Sequence, residues 1–95
     1  MDEQIQKLKK LVKIHLHQTK IEILKIWGKP NKNSDDYIWF YSWYNYGIFK
    51  DEIAFIFDEH QVVDICITSY IFWIKYKNTF YYENQKPEYK AFTIL

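Results

Sequence analysis

The first third of the chain repeats its apolar residues with the period of a helix, and most of the remainder alternates them with the period of a strand. Between Asp2 and Leu16, the residues Ile5, Leu8, Leu11, Val12, His15 and Leu16 share one arc of a helical wheel. Lys7, Lys9, Lys10, Lys13 and His17 take the other, and Ile14 falls off the apolar stripe. This predicts an amphipathic helix over 2–16 with one buried face, Asp2 and Glu3 lying against the positive end of its dipole. Thr19-Lys20-Ile21-Glu22 fits a capping box, in which a hydroxyl and a carboxylate three residues apart satisfy each other's backbone donors. A second helix is predicted over 20–27. Its apolar residues Ile21, Ile23, Leu24, Ile26 and Trp27 cover more than half the circumference, which predicts packing on two sides. Gly28 fits a left-handed helix end, and Pro30 forbids continuation.

After the polar stretch 29–36 the period changes. Residues 37–46 read as a strand from their aromatic and β-branched content, with Tyr37, Trp39, Tyr41 and Trp43 on one face and Ile38, Phe40, Ser42 and Tyr44 on the other. Asn45-Tyr46-Gly47 marks a turn. Residues 53–57 give a second strand with Ile53, Phe55 and Phe57 facing one way, and Asp58-Glu59-His60-Gln61 a short hairpin loop. Residues 61–68 give a third strand, with Val63, Ile65 and Ile67 inward and Val62, Asp64, Cys66 and Thr68 outward. Residues 70–76 read as a fourth strand or as an extension of the third. Asn78-Thr79 is the expected turn into 80–83, and the tail 84–95 is polar at first, with weak edge pairing expected at 91–95. The order is that of a single α+β domain over 1–95: two N-terminal helices on one face of a three- to four-stranded antiparallel meander spanning about 37–83.

Composition narrows the function classes. The 95 residues carry 48% hydrophobic and 26% charged positions, a globular balance. The longest apolar runs are five residues, whereas a membrane-spanning helix needs about 20. Lysines interrupt every apolar stretch of 1–16, so no secretory signal is expected there, and a cytoplasmic chain without membrane contact is the expectation. Cys66 is the sole cysteine, which leaves no internal disulfide and no cysteine-based metal cluster.

The charge is uneven: residues 1–34 sum to +5 and residues 35–95 to −4, and all 13 basic residues are Lys. Lysines on the first helix could meet phosphates and exposed rings could stack on bases, so nucleic-acid binding through Lys9, Lys10 and Lys13 is one alternative. The near-neutral total and the absence of Arg, whose guanidinium fork reads phosphate and guanine bidentately, weigh against it. His15 and His17, two apart on a helix, point about 200° apart and cannot chelate one ion. There is no nucleophile elbow, no phosphate-cradling glycine loop, and the acidic pairs fall in predicted turns. No catalytic residue, cofactor or metal is therefore assigned. A small-ligand site or enzyme cleft between helices and sheet, using His15, Tyr or acidic side chains, is the other alternative.

Aromatic residues are 21% of the chain, nine Tyr, seven Phe and four Trp, more ring surface than one side of a small sheet holds. Tyr and Trp combine apolar area with a polar tip and dominate interface hot spots. A protein-binding face is therefore expected on Trp39, Tyr41, Trp43 and Tyr44. Trp73 and Tyr76 would extend it, and the loop acids Asp35, Asp36, Asp51 and Glu52 would line its rim. The occupant would be another protein or a second copy of the chain.

Thr19 through Gly28-Lys29-Pro30, then Trp39-x-Tyr41, 53–57 and Val62-Val63, resembles the small SmpA/OmlA (BamE-like) domain, whose architecture is shared with the repeats of β-lactamase inhibitor proteins. The likeness covers residues 19–68. It departs from the family in having His17-Gln18 before Thr19, where a Gly is usual. The resemblance implies a non-catalytic scaffold that binds proteins through an aromatic sheet face, as an inhibitor or a toxin-neutralising immunity protein in a bacterial cytosol would. With no N-terminal Cys to acylate, outer-membrane assembly is not expected.

Overall fold

The computed structural model describes residues 3–45, 47–72, 74–82 and 90–93. Helix α1 runs Glu3–His15 and helix α2 Lys20–Trp27. The strands are β1 Ile38–Asn45, β2 Phe49–Asp58, β3 Gln61–Ile71, β4 Ile74–Tyr82 and β5 Lys90–Thr93. They form one antiparallel meander in the order β1-β2-β3-β4-β5, with both helices on one face, an α+β two-layer domain.

Helix α1 buries Leu8 and His15, with Leu11, Val12 and Leu16 packed beside them, and lies across β3 and β4. Ile14 is 58% exposed, as its place off the apolar stripe predicts. The capping box is present: Glu22 N–H donates to Thr19 Oγ1 at 3.3 Å and Thr19 N–H to Glu22 Oε1 at 3.1 Å. Helix α2 packs on one side only, through Ile23 and Trp27, and leaves Ile21, Leu24 and Ile26 exposed. The packing on two sides that the sequence predicts is not seen among the described residues.

Gly28 ends α2 with φ 79° and ψ −157°, positive in φ but extended in ψ, a combination almost confined to glycine. It is thus not the left-handed helix end the sequence suggests. Its N–H still donates to Leu24 O at 2.9 Å, and its carbonyl accepts from Tyr41 Oη at 2.8 Å, which ties the helix end to β1.

The connection between the helices fills a gap in the sheet. Among the described residues the pairing of β3 with β4 begins at Asp64 opposite Tyr82, and before it the helix connection takes that flank of β3. His17 N–H donates to Val62 O at 2.8 Å and Val62 N–H to Gln18 O at 2.9 Å, occupying that flank. Residues 31–35 do the same for the outer edge of β1. Asn31 N–H meets Phe40 O at 2.8 Å, Phe40 N–H meets Ser34 Oγ at 2.8 Å, and Asp35 N–H meets Ile38 O at 2.9 Å. A bare edge would invite pairing with another chain, and this loop blunts half of it.

Two bulges correct the expected alternation. Phe57 faces Val62 while Ile56 faces Asp64, so Val63 is the extra residue. Val62 turns fully inward and Val63 is only half-buried, the reverse of strict alternation. In β4 the pairs Ser69–Lys77 and Tyr70–Lys75 leave Tyr76 as the extra residue.

β3 ends at Ile71 and β4 begins at Ile74, with Phe72 between them at φ 48° and its N–H donating to Ile48 O at 2.9 Å, so the chain does not turn at Asn78-Thr79. Thr79 lies in mid-strand opposite Ile67 and is fully buried. The turn lacks Gly, Pro and Asn, which is why an apolar run concealed it. Residues 90–93 of the expected tail form β5, a fifth strand paired with β4.

Candidate protein-interaction surface

Register decides which face each β1 residue joins. Trp39 pairs with Phe55 and Tyr41 with Ile53, and those β2 residues are core, so Trp39, Tyr41 and Trp43 all point toward the helices. Trp39 meets the edge of Phe57 at 4.9 Å between ring centroids. Trp43 stacks on Trp27 at 6.3 Å and 24°, and Tyr41 is 6% exposed, packed on Trp27 and Phe55. Tyr41 is a core residue, and Trp39 and Trp43 are half-buried against the core on the helix-covered face, which corrects the assignment of the three to one partner-binding face with Tyr44. The helical layer needs rings because it is thin: Ile23 and Trp27 are what α2 offers to the sheet.

His15 sits among those rings, edge-on to Trp27 at 5.8 Å and to Phe55 at 5.4 Å. An indole N–H can only donate, so Trp27 Nε1–H at 3.2 Å makes His15 Nε2 an acceptor. The ring hydrogen is then on Nδ1, which donates to Gln18 Oε1 at 2.7 Å. His15 is therefore a packing residue holding α2 and the helix connection together, with both nitrogens used.

The acidic residues also divide. Asp51 is not a loop residue: it lies in β2 on the helix side, 8% exposed. It accepts from Ser69 Oγ at 2.9 Å and pairs with Lys7 Nζ at 3.0 Å. Glu52, likewise in β2, is half-buried on the opposite face. Asp35 Oδ1 accepts from Ile38 N–H at 2.9 Å and Tyr37 N–H at 2.8 Å. Those two backbone donors, Ile38 first, hold its carboxyl below the usual range, so Asp35 is a turn-former. Asp36 is exposed and borders an open hollow of about 420 Å³ with Lys20, Tyr37 and His60.

The face away from the helices carries the residues that sequence reasoning did not single out. Phe40, Ala54, Cys66 and Phe80 stand side by side across β1–β4, with Ile38 and Ile56 in the next row. Phe40, Cys66, Phe80, Ile38 and Ile56 are all half-buried.

Toward the other end of the sheet, Tyr44, Lys50 and Tyr70 form a further row. Lys50 Nζ lies 5.9 Å from the Tyr44 ring and 5.0 Å from the Tyr70 ring, and 3.9 Å from Glu52 Oε2. Burial pushes the Tyr70 phenol up, and the Glu52 carboxylate that accepts its hydrogen adds to the shift. Tyr44, at 61% exposure, is the one expected contact ring found open to solvent. Trp73 lies outside the described residues, and so does the side chain of Tyr76. The parity of β1 against β2 is the signal that would have separated the two faces, and it depends on pairing register.

Among the described residues no three His, Cys, Asp or Glu side chains come close enough to hold a metal ion, and no helix is long and apolar enough to cross a membrane. The chain matches no family model, no curated protein and no solved structure, and the likeness to the SmpA/OmlA domain rests on the residues quoted above.

Proposed function

We propose that this chain is a non-catalytic protein-binding module of the inhibitor or immunity type, and that it grips its partner with the sheet face opposite the helices. The observation that carries this reading is the cross-sheet apolar row Phe40–Ala54–Cys66–Phe80, separated from the Tyr44–Lys50–Tyr70 row by Ser42, Glu52 and Thr68, on a face to which neither helix contributes. The strands β1–β4, of 8 to 11 residues, lie about 4.8 Å apart at about 3.3 Å per residue, which gives a face on the order of 600 Å². A standard interface takes about 800 Å² per partner, so the rim around Tyr44 completes it. An apolar centre with Tyr, Lys and Glu at its border is the anatomy expected of such a patch. The resemblance to a protein-binding scaffold points the same way, with the open face replacing the Trp39–Trp43 face.

The test is capture from the native host with tagged chain, compared across three variants. A partner held by the wild type and by Ile21→Asp, and lost by Phe40→Asp and Phe80→Asp, supports the reading. A strictly monomeric chain that captures nothing, or capture indifferent to Phe40→Asp and Phe80→Asp, overturns it.

A further inference from the structure

A groove runs on the helical side between α1, the C-terminal end of α2 and the β1–β2 part of the sheet. Leu11, Ile14, Trp27, Trp43 and Ile53 line it, its volume is about 230 Å³, and Lys7 and Lys10 border it. The lining is wholly apolar. Wet surface of this kind gains free energy when something greasy covers it. Its apolar floor offers no hydrogen-bonding group, so polar contacts to a ligand fall at the Lys7 and Lys10 border.

The border is cationic. Lys7 Nζ pairs with Asp51 Oδ2 at 3.0 Å and sits 5.1 Å from the Trp43 ring centroid, and an ammonium has three donors, of which Asp51 takes one. Lys10 is exposed one turn further along α1, in the half of the chain that sums to +5. The acid nearest the groove, Asp51, is held by Lys7 and Ser69 on its buried side.

We propose that this groove binds a single-chain anionic amphiphile of the medium-chain carboxylate class. The tail lies against Leu11, Trp27 and Trp43, and the carboxylate meets Lys10 and Lys7. The volume sets the class: drug-sized ligands fill about 300–1,000 Å³, so one short chain fits and a two-chain lipid does not. The charge sets the head group, since a cationic amphiphile would face two ammonium groups. The site is separate from the open sheet face and stands or falls independently of the proposed protein binding.

The experiment titrates the whole chain with octanoate, octanol and octyltrimethylammonium below their micelle concentrations, read by calorimetry and by indole emission from the groove. Octanoate is expected to saturate and to shift the emission, with octanol at least about fivefold weaker and no saturation by the cation. Hexanoate should be weaker than octanoate by roughly tenfold, since each methylene contributes about three- to fourfold. Lys10→Glu should weaken octanoate about tenfold and leave octanol unchanged. Ile14→Glu, at an exposed position that folding tolerates, should remove both, and Phe40→Asp neither.

Octanol binding as tightly as octanoate, or octanoate binding indifferent to Lys10→Glu and Ile14→Glu, overturns the proposal. Binding to vesicles of phosphatidylglycerol and phosphatidylcholine without binding of octanoate overturns it in favour of a lipid surface.

Discussion

On the helix-covered face of the sheet the polar groups that enter the core arrive with partners, whereas on the opposite face an apolar row lies between Asp64 on one side and Ser42, Glu52 and Thr68 on the other. Asp51 meets Lys7 and Ser69, Tyr41 meets the Gly28 carbonyl, and His15 meets Trp27 and Gln18. Among the described residues Thr79 Oγ1 is the exception, buried in mid-strand with no partner. On the open face Lys50, Glu52, Tyr44 and Tyr70 interact with one another, and Phe40, Ala54, Cys66 and Phe80 lie beside them. The contrast shows that ring count alone does not mark an interface. Rings went to the side where a thin helical layer had volume to fill, and the face left open is mixed aliphatic and aromatic.

The largest effect should separate the faces by stability. Phe55 is fully buried against His15, Trp27 and Tyr41, so Phe55→Ala should cost about 3–5 kcal/mol, from lost transfer energy plus the cavity left behind. Phe40→Ala, half-buried on the open face, should cost about 1 kcal/mol or less in the same urea titration. Equal losses would mean that the open face is a second core rather than a surface awaiting a partner.

Next in size is Asp51→Ala, which removes the buried hydrogen bond from the Ser69 hydroxyl and the ion pair with Lys7. A loss of about 2 kcal/mol is expected, the size of a buried hydrogen bond to a charged group. Lys7 is substantially exposed, so Lys7→Met should cost clearly less than Asp51→Ala. The reverse order would place the weight of this cluster on the ion pair and not on the buried hydrogen bond.

What the sequence made legible follows from the range of the interactions involved. The capping box at Thr19 and Glu22, the position of the stop at Gly28 and the amphipathic α1 are decided within a few residues, and each stands where periodicity and capping chemistry put it, although Gly28 does not take the left-handed conformation. The turn at Phe72 and the two bulges were not legible, because nothing local distinguishes a bulky residue at positive φ or an extra residue in a strand from ordinary continuation. The site was misread for a related reason. Alternation divides Tyr37–Tyr44 into two sets but does not say which is inside, and only the pairing of Trp39 with Phe55 settles that. Asp51 and Glu52 looked like turn acids because the strand begins at Phe49, earlier than the apolar run at Ile53 suggests.

The smallest effect concerns one phenol on each face. Burial raises the pKa of Tyr41 on the covered side. Burial first, then Glu52, raises that of Tyr70 on the open side. In both cases the folded value lies above the ordinary phenol value, so above about pH 10 the unfolded chain releases the proton first. Stability from these groups is therefore intact below that pH and is lost as pH climbs through the folded values. Ultraviolet titration should show Tyr41 and Tyr70 among the late-ionising tyrosines, one late step removed by Tyr41→Phe and another by Tyr70→Phe.

The faces then separate on a second substitution. Glu52→Gln removes the charge that opposes ionisation of Tyr70 and should bring that phenol down while leaving Tyr41 unmoved. If Glu52→Gln moves neither, burial alone governs both phenols. The open-face row would then be as dry as the core, and the distinction between a finished face and a waiting one would fail.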